Sequence, residues 1–469
     1  MAEPSCGIDF GTSNSSVALV EDGAVRVLPI DPLNDSPTSL PSLLYISRDG
    51  EEIVGRAAAD TFIERNVDRE VLVRAVELGV HIDGYVGGEM DNEFGAVRKE
   101  GDEMTEAVTA RAMVEVNSPG RLFQSLKTSL RMREFTGTEV FGEQYQIEQL
   151  VAGILRRIKE TADEAAGEPV ERAVFGRPVR FSMRPEEDQI AQRRLETAAR
   201  LAGFHDVTFF YEPVAACVEY AIRTDQKQRP MVVDIGGGTF DVCIMEFGGA
   251  SSAASRLSEG RILSVSGIPV AGDAIDHEII RSKIFPCLGS RARYGPSRLR
   301  LPQFVFNSVV DWQNLYKLNT EETINWLIAA EASTDQPERI RALRTLIQRN
   351  YGYPLAREVE AAKRRLSDVL ATEITFDRPG IQIRERLERQ EFSHIIEHMI
   401  DRMEQSLIEA ERTAGVVPGS LDLVLTTGGT SLIPAVRQML GERYGHERLQ
   451  HRDTFTSVAA GLAVVAQFG

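Results

Sequence analysis

Two short glycine-rich segments, residues 7–15 (GIDFGTSNS) and residues 232–241 (VVDIGGGTFD), repeat one design about half the chain apart. Each segment starts as an apolar strand, reaches an Asp and then turns through Gly and hydroxyl residues. Glycine allows backbone N–H groups to approach an anion closely, and Thr or Ser hydroxyls add further donors. One such segment alone also fits a tight β-hairpin. Two of them, each after a strand, predict the two halves of a phosphate-binding site.

The Asp of each segment, Asp9 and Asp234, indicates a cation beside the phosphate. A carboxylate repels a phosphate group, so two carboxylates next to phosphate loops need a positive charge between them. Mg²⁺ meets this need because it prefers oxygen ligands and keeps several of its waters. We therefore expect Asp9 and Asp234 to hold a hydrated magnesium ion.

The composition limits the classes of partner. The chain has 469 residues, 42% of them hydrophobic and 26% charged, as in soluble proteins with more than one domain. Its formal net charge of −17 argues against nucleic-acid binding and against binding to an anionic membrane surface. The four cysteines are far apart and lack CxxC spacing, so neither disulfides nor a zinc site is expected. Without a signal pattern or an apolar run of about 18 residues, the sequence predicts a cytoplasmic protein.

In the first half, strands and helices must position these segments. Residues 60–117 are acidic and interrupted by glycines, which predicts an insertion without long elements. On either side, apolar alternation predicts strands and a 3.6-residue period predicts helices. The predicted strands are 16–20, 24–30, 41–46, 52–54, 170–176 and 207–211, and the predicted helices are 148–166, 185–202 and 214–222.

The second half starts like the first, with a strand, a Gly-rich turn and a returning strand. A Gly- and Ser-rich loop is predicted at 248–258, and helical spacing indicates a helical insertion at about 285–357. Further elements lead to a third Gly-rich turn, at 428–430, and to an apolar last helix. These elements are strands at 242–247, 373–376, 382–384 and 421–426 and helices at 392–414 and 458–468.

Five segments, in this order along the chain, resemble one family. Residues 7–15 and 234–242 (DIGGGTFDV) resemble the two phosphate loops of DnaK-type heat-shock chaperones, which belong to the actin-like ATPase superfamily. Residues 211–216 (YEPVAA) are similar to the connector of that family. Residues 360–367 (EAAKRRLS) and 427–434 (TGGTSLIP) resemble its adenosine-contacting helix and adenosine loop. The likeness is strongest to the short YegD-type members, which keep the nucleotide-binding domain.

The resemblance implies an α/β, two-lobed actin-like ATPase fold with duplicated sheet-and-helix cores and a nucleotide cleft between the lobes. Lobe I would comprise residues 1–222 and a returning C-terminal helix at 455–469. Lobe II would comprise residues 223–454. Insertions are expected at about 56–117 in lobe I and at about 285–357 in lobe II.

The resemblance also implies catalytic roles. Lys127, in the segment SPGRLFQSLK, matches the segment that supplies the catalytic Lys of the family, although a surface lysine on a helix is the simpler alternative. Glu212 would orient the attacking water or sense the γ-phosphate, or it would only cap the following helix. Asp241 would order the water, or it would be a satisfied turn residue. Asp234 and Thr239 complete the predicted catalytic set.

ATP or ADP with Mg²⁺ is the ligand that the resemblance implies. Lys363 and Arg364 would reach the ribose and the adenine, with Glu360 and Ser367 as hydrogen-bonding partners. Two departures bear on affinity, because Leu432 stands where the family usually has an Arg over the base and Phe455 where it has an Asp. The expected nucleotide contacts are Gly11, Thr12, Ser13, Asn14, Gly236, Gly237, Gly238, Gly272, Glu360, Lys363, Arg364, Ser367, Gly428, Gly429, Thr430 and Leu432.

Three functions are compatible with these motifs. The first is a slow ATPase that acts as a nucleotide-dependent, chaperone-like switch on a client protein or co-chaperone. The second is an actin- or MreB-like filament subunit, and the third is a sugar kinase, for which no sugar pocket is identifiable. The full TFDV and ExxKRxxS set favours the chaperone-like switch. We expect a monomer, and since only one helix follows the adenosine loop, no binding of extended hydrophobic peptides.

Overall fold

The computed structural model describes residues 4–21, 23–85, 105–222, 224, 226–247, 260–452 and 456–468. The predicted loop at 248–258, the middle of the first insertion at 86–104 and Phe455 lie outside these residues. Strands and helices alternate along the described chain much as the sequence predicts.

The strands are β1 (Ser5–Phe10), β2 (Asn14–Glu21), β3 (Ala24–Val27), β4 (Leu40–Pro41), β5 (Leu44–Ser47), β6 (Glu52–Val54), β7 (Val73–Tyr85), β8 (Thr105–Glu115), β9 (Gly120–Phe123), β10 (Gly137–Val140), β11 (Glu143–Gln146), β12 (Arg172–Arg177), β13 (Asp206–Tyr211), β14 (Pro230–Ile235), β15 (Phe240–Glu246), β16 (Arg261–Ile268), β17 (Arg293–Tyr294), β18 (Leu299–Arg300), β19 (Ala371–Arg378), β20 (Ile381–Glu388), β21 (Leu423–Thr427) and β22 (Leu449–His451).

The α-helices are α1 (Gly55–Asn66), α2 (Leu126–Ser129), α3 (Ile147–Ala166), α4 (Pro185–Leu201), α5 (Glu212–Ala221), α6 (Gly272–Ile279), α7 (Phe285–Cys287), α8 (Gln303–Val310), α9 (Glu321–Ser333), α10 (Pro337–Gln348), α11 (Gly352–Arg365), α12 (Arg389–Ile395), α13 (Glu397–Ala414), α14 (Pro434–Tyr444) and α15 (Ser457–Phe468). A π-helix spans Ile280–Ile284, and 3₁₀ helices span Trp312–Leu318, Pro418–Ser420, Gly429–Leu432 and His446–Arg448. None of these described helices is both long and apolar enough to cross a lipid bilayer.

Two sheets with the same strand order carry the fold. In the first, the order is β13-β12-β1-β2-β3, with β1 parallel to β12 and antiparallel to β2. In the second, the order is β22-β21-β14-β15-β16, with β14 parallel to β21 and antiparallel to β15. The two glycine-rich segments therefore occupy equivalent turns, β1–β2 and β14–β15. This repeat agrees with the predicted α/β fold of two lobes with duplicated cores.

The central strand of each sheet is covered on both faces, which explains its apolar sequence. In β1, Ile8 and Phe10 are fully buried in a cluster with Leu150 and Ile154 of α3. The opposite face of β1 meets α15, where a Cβ at Gly7 would overlap the backbone of that helix. Glycine at this position therefore allows the strand and the helix to approach each other closely.

The last helix, α15, belongs to the first lobe although it ends the described chain. It packs against β1, β2 and α5. At its crossing with α5, a Cβ on Gly461 would lie within 3 Å of the Ala215 carbonyl, a distance that real Cβ atoms do not show. The two helix backbones are therefore in direct contact at this point.

The two lobes meet at a junction of three aromatic residues, Phe62, Trp312 and Tyr353, at the mouth of the cleft between the lobes. We name this junction the aromatic latch. The ring centroid of Phe62 lies 5.7 Å from that of Trp312 and 5.4 Å from that of Tyr353. The Trp312 and Tyr353 centroids are 4.8 Å apart, and Tyr353 is only 1% exposed. Beside the latch, the Tyr351 hydroxyl donates to Asp68 Oδ1 at 2.6 Å. Phe62 and Asp68 belong to the first half of the chain and their partners to the second, so these contacts hold the cleft closed.

Two local predictions were wrong. The first insertion has long elements, because it contains α1 and the antiparallel pair β7–β8, in which residues 73–77 pair with residues 111–115 and residues 81–85 with residues 105–109. The predicted single helix at 392–414 is divided into α12 and α13 at Ile396. Ile396 is fully buried and has φ −99° and ψ 5°, outside the helical range, so core packing overrides the helical period.

The α5–α15 crossing generates a stability prediction. We expect Gly461→Ala to lower the free energy of unfolding by about 2 kcal/mol or more, because the cost of overpacking exceeds the gain of about 1 kcal/mol in helix propensity. Gly419→Ala is the matched control, since a Cβ there meets no atom within 4 Å. Urea denaturation measures both, and a Gly461→Ala protein as stable as the parent would contradict the backbone contact.

Candidate functional site

Nearly all predicted site residues line one cleft between the two lobes. Its volume of about 1160 Å³ exceeds the ~300–1,000 Å³ of typical small-molecule pockets. Asp241 is the predicted residue that does not line this cleft. The predicted residues that line it are Asp9, Gly11, Thr12, Ser13, Asn14, Lys127, Glu212, Asp234, Gly236, Gly237, Gly238, Thr239, Gly272, Glu360, Lys363, Arg364, Ser367, Gly428, Gly429, Thr430 and Leu432.

The two glycine-rich turns face each other at the floor of the cleft. A Cβ on Gly237 would overlap the hydroxyl of Ser13, and a Cβ on Gly238 would lie 2.5 Å from Thr12 Oγ1. The absence of side chains on these glycines is therefore what allows the loops of the two lobes to approach. Their backbone N–H groups and hydroxyls surround one small volume, as a phosphate site requires.

A buried ion pair lies beside the loops. Lys127 Nζ donates to Glu212 Oε1 at 2.6 Å, and both side chains are 6% exposed. Burial alone would lower the pKa of Lys127, but the charges of Glu212 and Asp9 raise it above its usual value. Lys127 is therefore a permanent positive charge at the floor of the cleft, and it does not lie on the surface.

The two strand-end carboxylates, Asp9 and Asp234, lie in the same electrostatic environment. Burial and the charge of Glu212 raise the pKa of Asp9 well above its usual range and that of Asp234 to about 6. The Thr427 hydroxyl donates to Asp234 Oδ1 at 2.6 Å and opposes this rise. One buried carboxylate, Glu212, and two half-buried ones, Asp9 and Asp234, therefore share one ammonium, and an additional cation would relieve the excess of negative charge.

Magnesium fits this donor set. The described residues contain no group of three or more His, Cys, Asp or Glu side chains arranged to hold a metal ion. Asp9 and Asp234 would therefore supply at most two protein ligands, and waters and phosphate oxygens would supply the rest, which is the usual coordination of Mg²⁺ beside a nucleotide.

The third glycine-rich turn is fixed to the second. Gly428 has φ +78°, and a Cβ there would overlap the backbone of Ile235 at the end of β14. The Thr430 hydroxyl donates to the Gly236 carbonyl at 2.8 Å. The parallel pairing of β14 with β21 places both turns at the same sheet edge, so Leu432 faces the cleft next to the phosphate loop.

Helix α11 presents the remaining predicted residues along one face, at a spacing of three and four residues. Glu360, Lys363, Arg364 and Ser367 all line the cleft. Lys363 Nζ donates to Asp276 Oδ2 at 2.6 Å and is buried by this contact. Burial raises the pKa of Asp276 to about 7, although Lys363 opposes the rise.

Asp241 does not line the cleft, although it was predicted as a catalytic residue there. Its side chain is fully buried, and its Oδ1 accepts a hydrogen bond from the Val179 N–H at 2.9 Å. Val179 follows β12 in the first lobe, so Asp241 connects the two lobes behind the cleft. Its Oδ2 has no hydrogen-bond partner within the described part of the chain. The expected contact with an attacking water is therefore absent from this geometry, and the residue acts as a link between the lobes.

Sequence analysis missed three polar residues of the cleft, Ser125, Asp273 and Asp276. The Ser125 hydroxyl donates to Asp273 Oδ2 at 3.1 Å, which joins the segment before Lys127 to the start of α6. Asp273 and Asp276 follow Gly272, at the start of helix α6 after strand β16. A Gly and an Asp close together near the end of a strand also indicated the two phosphate loops, so the same kind of signal was present here.

The environment of Asp241 generates a pH prediction. Burial and the charge of Glu212 raise its pKa in the folded state, so the folded protein binds a proton that the unfolded chain releases, and stability falls as pH rises above about 4. Asp241→Asn keeps the Oδ1 acceptor and needs no proton. We expect it to be more stable than the parent by about 1 kcal/mol or more at pH 8 and nearly equal at pH 4.

Asp241→Ala is the matched control. It leaves the buried Val179 N–H without an acceptor, which costs about 1–3 kcal/mol, so it should be less stable than the parent at pH 4. Thermal denaturation at both pH values makes the comparison. Equal pH profiles for Asp241→Asn and the parent would show that this carboxyl is ionised in the folded protein.

Comparison with known proteins agrees with this geometry. The Hsp70 protein family model matches residues 5–252 and 331–468. The chaperone protein DnaK of Thermus thermophilus is 26% identical over 98% of this chain and 60% of its own length. DnaK 1 of a Synechococcus species is 26% identical over 98% of this chain and 49% of its own length, and the dnaK protein of Gracilaria tenuistipitata is 23% identical over 98% and 59%. The chain thus spans about half to three fifths of these relatives, and it belongs to the Hsp70 protein family.

Proposed function

We propose that this protein binds ATP with Mg²⁺ in the cleft, hydrolyses it slowly and uses the bound nucleotide to set the relative position of its lobes. The observation that carries the proposal is the buried Lys127–Glu212 pair beside Asp9 and Asp234, where the two phosphate loops meet. Membership of the Hsp70 family, whose members are ATPases, supports the same reading.

The residues of the site divide the chemical work. The loops would bind the β- and γ-phosphates through N–H and hydroxyl donors, and Lys127 would place its positive charge where negative charge develops on the transferring phosphoryl group. Glu212 is the carboxylate placed to orient an attacking water. Magnesium, when bound, would neutralise phosphate charge near Asp9 and Asp234.

Slow hydrolysis follows from the position of Glu212. Its Oε1 accepts from Lys127 Nζ at 2.6 Å, so this oxygen is already engaged by the ammonium. A carboxylate with one oxygen engaged can position a water through the other, but it is less available to take the proton of that water. A long-lived ATP state suits a switch better than rapid turnover does.

The switch would act through contacts that cross the cleft. Thr12 and Ser13 of the first lobe face Gly238 and Gly237 of the second, and Ser125 bonds Asp273. A nucleotide that binds both loops favours the closed arrangement, and loss of the γ-phosphate removes part of that preference. A partner protein would read the change in lobe angle.

Removal of the ammonium tests the proposed chemistry. We expect Lys127→Ala to lower ATP turnover by about 10²-fold or more, because one preorganised charge on the reacting group is lost. ADP affinity should remain within a few-fold of the parent and shows that the variant is folded. Arg133→Ala, at an exposed arginine, is the control. Parent-like single-turnover hydrolysis by Lys127→Ala would exclude the role.

The aromatic latch predicts how fast nucleotide leaves. Tyr353→Ala removes one of the two rings that Phe62 contacts across the lobes, so the lobes should separate more readily and a fluorescent ADP analogue should dissociate at least about tenfold faster. Tyr294→Ala is the matched control, because Tyr294 packs edge-on with Trp326 at 6.0 Å within one lobe. Equal dissociation rates for Tyr353→Ala and the parent, in stopped-flow fluorescence, would mean that the latch does not limit release.

Leu432 generates a prediction about adenine. An Arg at this position would add a stacked cation, so Leu432→Arg should tighten ATP binding by about 2- to 30-fold, or roughly 0.5–2 kcal/mol. Leu432→Gln, of similar length and without charge, should bind no tighter than the parent. Calorimetric titration compares them, and a Leu432→Arg protein with unchanged affinity would place the base elsewhere in the cleft.

A further inference from the structure

Two cationic side chains line the cleft away from the phosphate loops, one from each half of the chain. Arg121 lies on β9, and Lys317 lies in the 3₁₀ helix Trp312–Leu318. Neither makes an ion pair with any residue in the described ranges. These two differ from the other cations of the cleft because they come from different halves of the chain and because the charge of Arg121 acts on Lys317.

Hydrogen bonds on both sides bring these two residues towards each other. Gln313 donates through Nε2 to the Gln124 carbonyl at 3.5 Å, which joins the start of the 3₁₀ helix to the end of β9. Asn319 donates through Nδ2 to the Val71 carbonyl, at the other end of the 3₁₀ helix. Lys317 lies between these bridges and Arg121 lies near the first, so the cations belong to facing walls.

Hydrogen bonds fix the guanidinium of Arg121 and leave some of its N–H groups without an acceptor. Its Nη1 donates to Thr138 Oγ1 at 2.7 Å and to the Glu139 carbonyl at 3.0 Å. Its Cζ lies 4.9 Å from the centroid of the Phe123 ring. Within the described residues, Nε and Nη2 have no hydrogen-bond partner. The orientation of the group is therefore fixed while two of its donors remain available for a ligand.

The nearest carboxylates are engaged elsewhere. Glu115 pairs with Arg69, and Asp311 is exposed and accepts from Asn314 Nδ2 at 2.6 Å. Burial lowers the pKa of Arg121, and burial together with the charge of Arg121 lowers that of Lys317. Glu115 and Asp311 act on the two cations only at a distance, so within the described residues no ion pair neutralises Arg121 or Lys317.

We propose that a phosphate-type oxyanion binds between Arg121 and Lys317 and links the two lobes at a site separate from the glycine-rich loops. A planar guanidinium fork and an ammonium are the groups that recognise phosphate, the fork by paired hydrogen bonds and the ammonium by charge. The ligand is inorganic phosphate or the phosphate group of a small monoester. Because its ligands come from both walls, the oxyanion favours the closed cleft whether or not nucleotide is bound.

The test is calorimetric titration of the nucleotide-free protein with inorganic phosphate and, separately, with glycerol 3-phosphate. Lys317→Gln and Arg121→Gln should each weaken phosphate binding by at least about tenfold. Arg133→Gln removes the same charge at an exposed position and should change nothing. Tighter binding of the monoester would identify a phosphorylated small molecule, and equal or weaker binding would identify free phosphate.

Charge reversal gives a second readout that does not depend on the ligand. Lys317 is exposed at the cleft wall, so Lys317→Glu should fold, pair with Arg121, raise the melting temperature and abolish phosphate binding. The proposal is overturned if the parent protein binds no phosphate at millimolar concentration, if Lys317→Gln and Arg121→Gln bind phosphate as tightly as the parent, or if Lys317→Glu lowers the melting temperature. None of these outcomes bears on ATP hydrolysis, so failure here leaves the proposed ATPase intact.

Discussion

One buried ammonium, Lys127, is shared by the buried carboxylate of Glu212 and the half-buried carboxylates of Asp9 and Asp234, and the cleft is organised around this imbalance. Glu212 bonds it directly, while Asp9 and Asp234 stand at the ends of the two central strands. Burying unpaired carboxylates is costly, so the arrangement is stable only if protons, a metal ion or both compensate them. The raised pKa values of Asp9 and Asp234 mean that burial and the charge of Glu212 favour the protonated forms of these carboxyls. A magnesium ion, when bound, would favour their ionised forms, and this would couple ligand binding to the ionisation of the site.

The second constraint is the close approach of backbones. The two lobes meet through Gly237 and Gly238, and the last helix meets its lobe through Gly7 and Gly461. At each of these places a Cβ would overlap an atom of the facing element. These glycines therefore serve the same purpose in both places. Because they have no side chain, the facing loops and the last helix can approach their neighbours more closely than any other residue would allow.

Much of this architecture was predictable from sequence, because its signals are local. A strand and the Gly-rich turn that follows it are contiguous, so all three Gly-rich turns were predicted at their observed positions. The period of α3 and the alternation in β19 and β20 were visible for the same reason. The break at Ile396 and the hairpin β7–β8 were missed because packing and strand pairing with distant residues decide them.

The same difference between local sequence signals and contacts of distant residues applies to the candidate site. Asp9, Lys127 and Glu212 were identified by motif, but sequence did not show that Asp241 would turn away from the cleft to accept from Val179, since that depends on the other lobe. The pairing of Ser125 with Asp273 and the facing cations Arg121 and Lys317 are likewise contacts between distant parts of the chain. No local pattern encodes them, and only the folded arrangement brings them together.

Because the lobes touch both at the floor of the cleft and at the aromatic latch, they can separate at the latch only when the contacts of Phe62 with Trp312 and Tyr353 break. A ligand that needs a wider cleft than this one would enter only after that step. The opening step then precedes binding, so the observed association rate should approach a ceiling as ligand concentration rises, and that ceiling equals the opening rate. The aromatic latch would therefore limit the rate of ligand binding as well as the rate of ligand release.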